Sequence, residues 1–187
     1  ASAGRVHRRT AGRRMGAVTR RTKNMDRSNA KILIGGAIDD TDKLHRVCDL
    51  AAEAGYTHNY GEPGMRADEI YEMACEAARE NEPLTLISES GQVEDFLSAL
   101  RDLGISYSCH SEPGEYAGFY DGFTPEDGNK VAKVDAEGKA YLTEEELDAL
   151  SVEGLGAIKA WKANVAVARG DALAPLTHVG TTSRPRL

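Results

Sequence analysis

The chain is poor in the residues that usually announce a function. Its 187 residues include three cysteines, one tryptophan and 6% aromatic side chains. No apolar run approaches the ~18 to 20 residues that a membrane span requires, and no charged-then-apolar signal segment opens the sequence. It therefore reads as soluble, cytoplasmic and neither secreted nor membrane-bound. An odd number of cysteines without framework spacing argues against a disulfide scaffold and suits a reducing compartment. The phosphate-binding patterns GxGxxG and GxxxxGK followed by Ser or Thr are missing, as is EF-hand ligand spacing, so no cofactor and no metal is expected.

Charge, by contrast, is plentiful and segregated. The net charge of −7 conceals three regions. Residues 1–30 hold nine basic side chains against Asp26 alone, a charge of +8. Residues 31–151 carry −18, and residues 152–187 carry +3. An acidic body between basic ends keeps itself soluble and repels nucleic acid from its own surface. The first region has almost no large apolar residues to offset the entropy of ordering it, so a disordered arm over residues 1–30 is expected. Upstream codons ahead of a natural start at Met25 explain it most simply. An organelle presequence would need an apolar face that this stretch lacks, and a nucleic-acid-binding arm is the third reading. Residues 31–151 form the expected acidic α/β domain, followed over 152–187 by a short helix and a loose basic tail.

Within the body, hydrophobic periodicity marks the elements. Lys31 to Gly36 is a short apolar strand. Leu44, Val47, Cys48 and Ala51 trace a helix stopped by Gly55, and Tyr56 to Tyr60 alternate as a second strand. After Glu62-Pro63-Gly64, Ile70, Met73, Ala74 and Ala77 face one side of a helix over roughly residues 66–80. Leu84 to Ser88 is again an apolar strand, a helix carries Val93, Phe96, Leu97 and Leu100, and Ile105 to His110 alternate before a second Glu112-Pro113-Gly114 turn. This short internal echo suggests two βαβ-like halves. Tyr116 to Phe123 reads as a further strand, Asp135 to Gly138 as a hairpin turn, and Thr143 with Glu146 as a capping box. Apolar first and third strands belong in the middle of a sheet, and alternating second and fourth strands belong beside them. The expected fold is α+β: a ferredoxin-like two-layer α/β sandwich with an extra helix and a C-terminal hairpin and helix. A doubly wound parallel sheet is the alternative, although it usually shows longer apolar strands.

Few constellations carry chemistry. Gly35 and Gly36 precede a helix, but Asp39, Asp40 and Asp42 stand where an anion would sit and serve better as helix caps. Cys109 and His110 are consecutive on a strand and so point to opposite faces, which denies them a nucleophile–base contact. His58 and His110 belong to strands on opposite edges. His45 and Cys48 share a helix face without further metal ligands, and Cys48 and Cys75 read as small buried hydrophobes. Tyr56, Tyr60, Tyr107, Tyr116 and Tyr120, with Phe119 and Phe123, either line a ligand groove or pack as sheet formers beneath helices.

The acidic surface is less readily absorbed by structure. Asp68, Glu72, Glu76 and Glu80 recur at every fourth position with Glu69 beside them. Like charges at that spacing cost about 0.2 to 0.5 kcal/mol per pair, so helix stability alone would favour interspersed lysines. Either the exterior is merely solubilising, or these five side chains bind a basic partner surface, up to imitating a nucleic-acid phosphate track.

From about Val93 to Leu150, the helix into Leu103-Gly104-Ile105, the polar strand, the segment Tyr116 to Pro125 and the Asp135–Gly138 turn leading to a Glu-rich helix carry a resemblance. The layout resembles uncharacterised small acidic accessory proteins of bacterial plasmids, integrative elements and phages. That resemblance implies proteins that bind host factors, including restriction or CRISPR nucleases, and implies no catalytic residues. The leading expectation is thus a non-enzymatic acidic module docking on a basic protein surface, up to a nucleic-acid-mimicking inhibitor of a host defence or nucleic-acid-handling protein. The alternatives are a small-ligand sensor or small enzyme using the aromatic segment 107–123, and nucleic-acid binding through the Arg-rich arm alone.

Overall fold

A computed structural model describes residues 29–90, 92–114 and 117–178. Residues 1–28 of the Arg-rich arm and Tyr116 lie outside them. The elements run β1 (Ala30–Ile38), α1 (Thr41–Glu53), α2 (Ala67–Glu80), β2 (Leu84–Ser88), α3 (Glu94–Asp102), β3 (Ser106–Ser111), β4 (Gly118–Thr124), β5 (Gly128–Val134), α4 (Glu144–Glu153), α5 (Leu155–Arg169) and β6 (Leu176–His178). The fold is α+β, and no helix among the described residues is long and apolar enough to cross a membrane.

The sheet order is β2-β1-β3-β4-β5, every neighbouring pair antiparallel, with β6 joining β1 in parallel. A doubly wound parallel sheet is thereby ruled out. Register partners share a face, so Ile32, Leu86 and Cys109 align on one side, as do Ile34, Leu84 and Tyr107. Helices α1, α2 and α3 cover that side, burying Leu44, Val47, Ile70, Ala74, Phe96, Leu97 and Leu100 against it. Helix α5 lies on the other side, across β3, β4 and β5. There Ser108 Oγ donates to Ala168 O at 3.0 Å, and Gly122 admits the helix so closely that a Cβ would sit 2.4 Å from Val167 O. The sheet is thus covered on opposite faces at its two ends.

Several expectations need correction. Tyr56–Tyr60 forms no strand. Only Thr57 bridges to Ile87, antiparallel on the outer side of β2, because Thr57 Oγ1 turns back to donate to Asn59 O at 2.9 Å and the chain bends away. The hairpin joins β4 to β5 through residues 125–127, where Thr124 and Asp127 bond each other. The Asp135–Gly138 turn, by contrast, leads to a single bridge, Val134 to Ala140. The short helix expected after residue 152 is 15 residues long. The stretch expected as a loose tail supplies β6, whose Leu176 and His178 are buried. Gly36 makes that last pairing possible. Its φ of 80°, a region open mainly to glycine, redirects β1 so that Gly36–Ile38 leave β2 and β3 and pair with Leu176–His178.

Candidate functional site: an acidic helix face with a cleft

Helices α1 and α2 pack side by side and present their polar faces together. Each start is fixed locally. Asp40 caps α1 by accepting from Asp42 N at 2.9 Å, the role expected of that aspartate cluster. At α2, Glu69 accepts from Arg66 N at 2.8 Å, and the Arg66 guanidinium bonds both Glu69 and Asp68 at 3.2 Å. The backbone hydrogen bond from Arg66 and then its side chain hold the Glu69 carboxyl below its ordinary range. The apolar stripe of α2 buries Ile70, Ala74 and Cys75, which leaves Asp68, Glu69, Glu72, Glu76 and Glu80 exposed as the sequence implies.

These carboxylates divide into two groups. Asp68 and Glu69 are partly neutralised by Arg66. Glu72, Glu76 and Glu80 have no ion-pair partner among the described residues. Asp42, Asp49 and Glu53 on α1 and Glu94, Asp95 and Asp102 on α3 are likewise exposed. The three helices therefore carry eleven carboxylates against Lys43, Arg46, Arg79 and Arg101. Arg101 is turned inward, where its Nη1 donates to Tyr107 Oη at 2.6 Å.

Where α1 meets α2 the acidic face is indented. A cleft of about 380 Å³ is lined by His45, Cys48, Asp49, Ala67, Asp68, Tyr71 and Glu72. The rings of His45 and Tyr71 lie 4.9 Å apart, tilted by 52°. Burial, followed by the fields of Asp49 and Cys75, pushes the Cys48 thiol up to about 12, so its sulfur is a neutral part of the wall. The Tyr71 phenol is also raised, chiefly by Cys75. Asp49 and Glu72, which have no ion-pair partner among the described residues, beside an aromatic face suit a Lys or Arg side chain, whose cation is attracted by both, while Asp68 is shared with Arg66. The sequence marks Asp68 and Glu72 by their spacing and Asp49 as an extension of the same acidic field, but it does not mark Tyr71. Asp49 follows His45 by four residues, which places them on one face of α1, yet nothing local to α1 reveals that α2 lies alongside.

The tyrosines are not brought together. Tyr56 is buried edge-on to Phe96 at 5.0 Å, and Tyr60 is exposed. Tyr107 is buried on the face covered by α1–α3, where its ring stacks on Phe123 at 6.1 Å. Tyr120 is on the opposite face, 4.7 Å from His110, and donates to Gly138 O at 2.9 Å. Burial pulls the His110 imidazole down and raises the Cys109 thiol to about 12; as strand geometry requires, the two side chains face apart. Among the described residues, no group of three or more His, Cys, Asp or Glu is placed to hold a metal.

A polar cluster absent from the sequence reading ties α3 to the outer strands. Tyr107 Oη donates to Asp121 Oδ1 at 2.9 Å, Asn129 Nδ2 donates to the same oxygen at 2.6 Å, and Arg101 lies 3.7 Å from Asp121 Oδ2. The cluster satisfies its own charges and is best read as a clamp. No protein-family model, curated protein or solved structure matches the chain.

Proposed function

We propose that the chain is a non-enzymatic acidic binding module that docks on a basic protein surface through α1 and α2. The observation that carries this reading is the cleft lined by Asp49, Asp68, Tyr71 and Glu72, set within unpaired carboxylates. A merely solubilising exterior needs no such recess, whereas a docking face needs a pocket to seat an anchor side chain. The partner proposed is the Lys/Arg-lined groove of a nucleic-acid-handling protein, with Glu72, Glu76 and Glu80 taking the place of phosphates. This reading rests on a ferredoxin-like two-layer core, supported by the sequence of strands β3, β1, β2 and the Thr57 bridge, onto which β4, β5 and α5 are added.

Binding of a labelled Lys/Arg-rich peptide, followed by fluorescence anisotropy across a salt series, tests the proposal. Glu72→Lys with Glu76→Lys should abolish binding, and Tyr71→Ala should weaken it at constant charge. Glu144→Lys with Glu145→Lys on α4 changes the net charge equally and should leave most of the affinity. Equal losses from both charge reversals would reduce the effect to net charge and overturn the reading.

A further inference from the structure

A second recess lies at the end of the sheet, away from the acidic helix face. It measures about 360 Å³ and is enclosed by three separate chain returns: Ser106 at the start of β3, the β4–β5 turn with Pro125 and Glu126, and the end of α5 with Gly170 and Leu173. That volume falls in the range of small-molecule sites, ~300 to 1,000 Å³. The turn is held in shape by Thr124 Oγ1, which donates to Asp127 Oδ2 at 3.0 Å and accepts from Asp127 N at 2.9 Å. Glu126 is left free. Among the described residues, neither its carboxylate nor Ser106 Oγ has a hydrogen-bond partner.

The lining defines the chemistry of an occupant. Val167, Ala172, Leu173, Ala174 and Pro125 offer an apolar wall. No Lys, Arg or His lines the recess among the described residues, so an anionic ligand would meet Glu126 and Asp127 without compensation. The C-terminal end of α5 also borders the recess, with its Ala166, Val167 and Ala168 carbonyls already hydrogen-bonded within the protein. Its one basic residue in the last turn, Arg169, is occupied by Asp171. The free carboxylate and hydroxyl favour a positive charge at one side of an apolar cavity.

We infer that this recess is a binding site for a small primary amine with an apolar body. Its ammonium bonds Glu126 and Ser106 Oγ, and its hydrocarbon part packs on Leu173 and Val167. The site is independent of the docking face proposed above.

Titrating the full chain with 2-phenylethylamine, using amide chemical shifts as the readout, tests the assignment. Saturable shifts should map to residues 106, 124, 126, 127 and 170–174, and phenylacetate, of similar size but opposite charge, should produce none. Glu126→Gln should weaken binding roughly tenfold, the loss of about one charge-assisted hydrogen bond. Ala172→Trp, at an exposed position on the rim, should block the recess while leaving the other amide shifts in place. Equal binding of phenylacetate, unsaturable shifts, or full affinity in either variant would overturn the proposal.

Discussion

Tyr107 and Asp121 are diagonal neighbours on adjacent strands, joined by a 2.9 Å hydrogen bond from the phenol to the carboxylate. The bond connects the part of the sheet covered by α1–α3 to the added strands β4 and β5. Burial, then Asp121, pushes the Tyr107 phenol well above its ordinary range, so it remains a donor at all physiological pH values.

Removing that hydroxyl should loosen the clamp without opening the core. Tyr107→Phe leaves Asp121 bonded to Asn129 and should cost about 1 to 2 kcal/mol by urea denaturation. Asp121→Ala should cost more, because it strands both Tyr107 and the inward-turned Arg101. A cost for Asp121→Ala no larger than for Tyr107→Phe would show that Arg101 gains nothing from the carboxylate.

Gly122 marks the closest approach of α5 to the sheet. An added Cβ would meet Val167 O at 2.4 Å and Ala168 Cα at 2.7 Å, both backbone atoms. Gly122→Ala should therefore lift the helix and destabilise the fold by about 2 to 4 kcal/mol, measurable as a lowered Tm. The same substitution at Gly156, where a Cβ meets nothing, should be neutral or slightly stabilising.

All three thiols are free and buried. Burial raises Cys48 and Cys109 to about 12, and the thiolate is the reactive form. At pH 8 the native protein should react with a disulfide reagent such as DTNB only as fast as it opens, and all three should titrate at once in denaturant. Rapid labelling of one thiol in the native state would place that cysteine in a mobile region.

Lys133 and Glu146 join β5 to the start of α4 through a 2.8 Å ion pair. Lys133, then the Thr143 backbone, holds the Glu146 carboxyl down at about 2, from an ordinary value of 4.5. A depressed carboxyl favours the native form above its unfolded value. That contribution is complete above pH 4.5 and lost as the pH falls from 4.5 toward 2. Amide exchange in the first turn of α4 should quicken across that interval, and Glu146→Gln should flatten the dependence.

Reversing the ridge should separate stability from binding. Glu76 stands four residues from both Glu72 and Glu80 on an exposed helix face, so Glu76→Lys converts two repulsions into attractions. It should raise the thermal midpoint, by the equivalent of about 0.8 to 2 kcal/mol, while reducing affinity for the basic peptide. A lowered midpoint would mean that the carboxylates serve the fold.

How far the sequence could be read depended on whether the signal was local. Helices α1 and α2 are written in their own apolar stripes, and the Thr143–Glu146 box sits where its spacing puts it. The opposed faces of Cys109 and His110 follow from strand geometry alone. Tyr56 to Tyr60 misled because alternation describes a half-buried strand equally well as a turn that buries one tyrosine. The strand β6 was illegible for another reason: three residues after a proline carry no periodicity, and their partner lies in β1. The cleft and the clamp are likewise made by neighbours distant in sequence. Only Asp68, Glu69, Glu72, Glu76 and Glu80, which share one helix, could be assembled from spacing.

The pairing of β6 with β1 also bears on how the chain reaches its native state. His178 Nδ1 donates to Ile38 O at 2.8 Å across a separation of 140 residues, and Leu176 is sealed into the core. Loop closure over such a span is entropically slow compared with the helices it encloses. During synthesis β1 can find β2 and β3 early, but residues 36–38 must wait, half-finished, for nearly the whole described chain to emerge. Co-translational folding is therefore expected in two stages, the second fastening β1 with β6 once residues 176–178 have been made.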